Sequence, residues 1–101
     1  MEKTKEQIIK DIQAIIKEHG SFSPDEVGED YIDLYPNSVS TKKVEFISED
    51  DVTVGHYISG VRVDDDFMEY EELPNNVLSD ILLMAENHQV ACNKAMDRSR
   101  S

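Results

Sequence analysis

The chain has no tryptophan, one cysteine, three prolines and four glycines in its 101 residues. The lone Cys92 excludes an intramolecular disulfide framework and fits a reducing compartment, so a cytoplasmic protein is expected. No apolar run approaches the roughly 20 residues of a membrane span. Met1-Glu2-Lys3 leads into no signal-peptide pattern. Phosphate-cradling glycine loops are missing, because Gly55 and Gly60 stand isolated. Gly20-Ser21-Phe22-Ser23 does not complete the GxSxG nucleophile elbow.

Positive charge is scarce. Ten bases face 22 acids, for a net charge of −12. The imbalance is local: residues 1–20 and 73–101 are balanced, whereas residues 21–72 carry 15 acids against Lys42, Lys43 and Arg62. Such a field repels nucleic-acid phosphates and anionic lipid headgroups, so direct nucleic-acid or membrane binding is not expected.

What is present specifies a globular domain. Hydrophobic residues make up 39% of the chain and recur periodically, which argues against wholesale disorder. A chain of this length buries about two-thirds of its unfolded surface. A single domain is expected over residues 1–96, with a frayed tail at 97–101.

The spacing predicts a first helix over about 4–19. Thr4 and Gln7 stand at capping-box spacing, Ile8, Ile9, Ile12, Ile15 and Ile16 form one stripe, and Gly20 follows as a C-cap. Ser23-Pro24-Asp25-Glu26 reads as a short helical turn, and Tyr31–Tyr35 before Pro36 as an edge strand or ordered loop. Val44 and Phe46, then Val52, Val54, His56 and Ile58, alternate as strands, and Ser59-Gly60 marks a turn. Pro74 opens a long second helix to about 94, its stripe running through Val77, Leu78, Ile81, Leu82, Ala85, His88 and Cys92. The expected fold is α+β: an N-terminal helix, a three- to four-stranded antiparallel sheet and a long C-terminal helix, with both helices on one sheet face.

The densest feature is VDDDFMEYEELP, residues 63–74, with six carboxylates: Asp64, Asp65, Asp66, Glu69, Glu71 and Glu72. A calcium loop starting at Asp64 would need an oxygen ligand, a glycine and a glutamate where Met68, Glu69 and Asn75 stand. Asp64–Asp66 instead reads as a solvated turn, and Glu69 and Glu71 as sharing a strand face. A two-carboxylate catalytic site needs one carboxyl raised in pKa by burial or by a like-charge partner, and a dense exposed run is expected to lack the apolar pocket for it. His88 and Cys92, four apart on a helix, are two candidate ligands but not a zinc site, and as a nucleophile pair they lack an orienting third group. No enzyme, cofactor or metal centre is expected.

Gly20-Ser21-Phe22-Ser23, the His56-Tyr57 strand, and Tyr70-Glu71-Glu72-Leu73-Pro74 leading into Val77-Leu78-Ser79-Asp80-Ile81-Leu82 together resemble a group of small uncharacterised bacterial proteins. The resemblance implies a bacterial, cytoplasmic origin and brings no activity or site residues. From the charge pattern, the expected function is a non-enzymatic interaction protein whose six acids form a surface for a basic protein partner. The alternative is a nucleic-acid mimic occupying the phosphate groove of a DNA- or RNA-processing enzyme. Plain solubility is the competing explanation for the acids.

Overall fold

The structure is a computed structural model that describes residues 3–100, with side chains through residue 96. Helix α1 spans Lys5–His19, strands β1 to β4 span Ile32–Asp33, Ser40–Ile47, Asp51–Ile58 and Val61–Glu69, and helix α2 spans Asn75–Arg100. Two 3-10 turns, Pro24–Val27 and Tyr70–Glu72, bracket the sheet. The strands form an antiparallel meander in the order β1-β2-β3-β4. The α+β fold expected from sequence is the one found, with four strands.

Local chemistry accounts for the ends of α1. Thr4 Oγ1 accepts the Gln7 N–H at 3.2 Å, but the Gln7 side chain turns forward to Asp11 rather than back to the cap. The helix closes on Gly20, whose φ of +94° suits a residue without Cβ and whose N–H bonds Ile16 O. In the β3–β4 hairpin, Ser59 and Gly60 both have positive φ, 51° and 80°, as a tight turn matched to strand twist requires.

One apolar core joins Ile8, Ile9, Ile12 and Ile16 of α1, Val44, Ile47, Val52 and Val54 of the sheet, and Val77, Leu78, Ile81, Met84 and Ala85 of α2. Both helices therefore cover the same sheet face. Phe22 seals one end, fully buried and bonded through its backbone to Ile47 in both directions. Tyr70 and Leu73 are buried in the same core, and the Tyr70 hydroxyl donates to Ser48 O beside Ile47. Helix α2 runs beyond the expected end near 94; of the anticipated tail, residues 97–100 continue the helical backbone and Ser101 lies outside the described residues. From Glu86 through Met96 no side chain of α2 is fully buried, so this end projects past the core.

Two expectations in the acidic stretch are corrected. Asp64–Asp66 is not a turn: these residues lie inside β4, paired with His56, Gly55 and Val54. Glu69 and Glu71 do not share a strand face, because β4 ends at Glu69 and Glu71 sits in the following 3-10 turn. Aspartate disfavours strands locally, but ladder bonds to β3 outweigh that preference.

Candidate functional site

Strand β4 is the outermost strand on its side of the sheet, and among the described residues its strand partner is β3. Residues 61–67 are all exposed, on both faces. That includes three apolar side chains, Val61 at 63%, Val63 at 53% and Phe67 at 67% exposure. Scattered apolar exposure is ordinary, but three such residues on one nine-residue edge strand, interleaved with acids, set this edge apart from the rest of the sheet.

The six predicted site residues separate by location. Asp64 and Asp66 oppose His56 and Val54 and point to the helix-side face, whereas Asp65, opposite Gly55, points to the outer face. Each helix-side carboxylate caps the next backbone amide: Asp64 Oδ1 accepts the Asp65 N–H and Asp66 Oδ1 the Phe67 N–H, both at 2.8 Å. Successive amides of an antiparallel ladder alternate between the neighbouring strand and the free side, so these two belong to the free edge. Glu69 opposes Asp51 at the strand end. Glu72 has a structural task, since its Oε2 accepts the Glu69 N–H at 2.9 Å and closes the 3-10 turn. Glu71 is exposed, and its backbone carbonyl accepts the Lys5 ammonium. Among the described residues, only Asp65 of the six makes an ion pair, with Arg62 at 3.5 Å.

Sequence reading missed a network on the outer face. Glu45 is the extra residue of a β-bulge in β2, and Val63 of one in β4. Between them, the Glu45 side chain lies across β3 above Gly55. Its carboxylate accepts Arg62 Nε and Nη2 at 3.1–3.2 Å and the Tyr57 hydroxyl at 2.5 Å. Burial would raise the Glu45 carboxyl, but the hydrogen bonds from Arg62 and Tyr57 and the charge of Arg62 outweigh it and hold the group below its ordinary value. The same bond to Glu45, aided by burial, pushes the Tyr57 phenol up. Lys43 sits over the Tyr57 ring, 4.9 Å from its centroid. Two of the three bases in the acidic segment are thus committed to this face. The one sequence signal was Gly55 inside an otherwise well-patterned strand, which marks a close approach.

Elsewhere the chemistry is sparse. His88 stacks on Phe22 with centroids 4.8 Å apart, its Nε2 lies 3.3 Å from His19 O, and Cys92 Sγ is 3.8 Å from it. Both His88 and Cys92 are half-buried. Among the described residues no three His, Cys, Asp or Glu side chains converge as metal ligands. A cleft of about 420 Å³ between the helices is lined by Lys3, Ile8, Asn75, Asn76, Ser79 and Leu82 and includes none of the six acids. No described helix is long and apolar enough to cross a membrane. The chain matches no family model, no curated protein and no solved structure.

Proposed function

We propose that the protein is a non-enzymatic interaction module that docks a basic protein partner on the β4 side of its sheet. The observation that carries this is the exposure of β4 on both faces with four acids against one base, Arg62, which is already engaged by Glu45. Concentrated charge of one sign speeds encounter with the opposite sign, and the exposed Val61, Val63 and Phe67 supply apolar contact once the partner has arrived. The acids alternate between faces, a pattern suited to a partner gripping the edge and less to a mimic, which presents phosphate-like charges in one row.

Capture from a bacterial lysate at low and moderate salt tests the reading. The expected result is a specific protein partner, weakened by salt and by joint Asp64→Asn, Asp65→Asn, Asp66→Asn and Glu69→Gln replacement, chiefly through on-rate. Release of a nucleic-acid enzyme by competing DNA would shift the reading to the mimic. No partner at either salt, or one indifferent to the amide variants, would overturn it.

A further inference from the structure

We infer that the free edge of β4 accepts an extended lysine- or arginine-bearing segment of the partner as a fifth strand. The inference rests on the docking reading above and specifies its geometry. A long strand with an open side offers a row of backbone donors and acceptors to any extended chain, and strand addition is a recurrent mode of peptide recognition. Beyond the bulge at Val63, residues 64–69 of β4 form a regular stretch of ordinary strand length, enough for a short ladder.

The charges decide which chain fits. A second copy of this protein is disfavoured: antiparallel self-pairing centred on Asp65 sets Asp64 opposite the other copy's Asp66, and like charges directly opposite destabilise a sheet. Acidic and neutral strands meet a second barrier, because the edge amides of Asp65 and Phe67 are already held by the Asp64 and Asp66 carboxylates. A strand with cations two residues apart removes both barriers. Its basic side chains, spaced roughly 6.7 Å apart along one face, match Asp64 and Asp66. As the carboxylates turn to these cations, the Asp65 and Phe67 amides are released to the incoming backbone carbonyls. The alternate side chains then face Phe67 and Asp65 on the outer side. The edge is self-capped against most strands and open to one charge class, which is specificity by exclusion.

The test uses a synthetic nine-residue peptide alternating lysine and valine, matched to the length of β4. It is compared with a glutamate–valine counterpart and with lysine–valine peptides N-methylated at every second amide, in each phase. The lysine peptide is expected to bind and to slow hydrogen exchange at the Asp65 and Phe67 amides. N-methylation in one phase should weaken it by about tenfold or more, as should the Asp64→Asn/Asp66→Asn protein, which keeps side-chain acceptors but loses charge. Equal binding by parent and both methylated peptides would overturn edge pairing while leaving charge-driven docking intact. Equal binding by the glutamate peptide, or by the amide variant, would overturn the charge matching. No binding by the lysine peptide up to millimolar would overturn the inference itself, with the lysate capture deciding the docking reading separately.

Discussion

Gly55→Ala is the sharpest probe of the outer face. A Cβ at residue 55 would stand 2.5 to 2.7 Å from the Glu45 carboxylate atoms, well inside van der Waals contact, so something must shift. The backbone of β3 is fixed by ladders on both sides, so the flexible carboxylate must yield by roughly 1 Å to reach ordinary contact. That displacement breaks the 2.5 Å bond from the Tyr57 hydroxyl and the fork from Arg62. The Tyr57 bond goes to a charged acceptor whose side chain is only 14% exposed, and its loss costs about 1.5 kcal/mol. Arg62 is 45% exposed, so solvent replaces most of its contribution. Against this, alanine restricts the unfolded chain and stabilises by about 0.5 kcal/mol where the backbone permits it. The net expectation is a loss of about 1 kcal/mol. In a Glu45→Ala background the obstruction is absent, and Gly55→Ala should instead stabilise by about 0.5 kcal/mol. Urea unfolding followed by circular dichroism, as a four-corner cycle with unchanged m-values, measures the coupling of about 1.5 kcal/mol. Equal effects of Gly55→Ala in both backgrounds would refute the argument that Glu45 dictates glycine here.

Three further outcomes are expected. Ile12→Ala and Ile81→Ala, both fully buried, should each cost about 2–5 kcal/mol by urea unfolding; losses under about half a kcal/mol at both would mean the two stripes are not the core. Because the folded Glu45 carboxyl lies below its unfolded value, its stabilisation is complete above the ordinary carboxylate range and is lost as pH falls through the folded value. Glu45→Gln should therefore flatten the acid limb of stability against pH, leaving the share of Asp11, which hydrogen bonds from Lys3 and Gln7 hold down in the same direction; an unchanged slope would count against the network. Tyr70→Phe should cost about 0.5–1.5 kcal/mol, since the buried hydroxyl donates to Ser48 O, and burial with the nearby Asp51, Asp50 and Glu49 pushes its phenol far enough up to keep it a donor; unchanged unfolding would mean water replaces that bond freely.

The sequence by itself determined the elements whose signals are local. The isoleucine stripe between Thr4 and Gly20 specifies α1, because a helix repeats its contacts within four residues. The Val52–Val54 alternation and the Ser59-Gly60 turn specify β3 and its hairpin, and Pro74 the start of α2. The split of charge between a balanced first and last segment and an acidic middle was equally legible. Only the tertiary structure decided that Asp64–Asp66 continue a strand: pairing with β3 supplies bonds that local propensity cannot register. Which acids share a face was hidden for the same reason, since the 3-10 turn at Tyr70 ends the strand alternation before Glu71 and Glu72. The Glu45–Gly55–Arg62 arrangement joins three strands and spans 17 positions, a separation at which no periodic pattern exists to read. Local chemistry chose the helices and turns, while non-local strand pairing chose the edge, its exposed side chains and the amides that Asp64 and Asp66 cap.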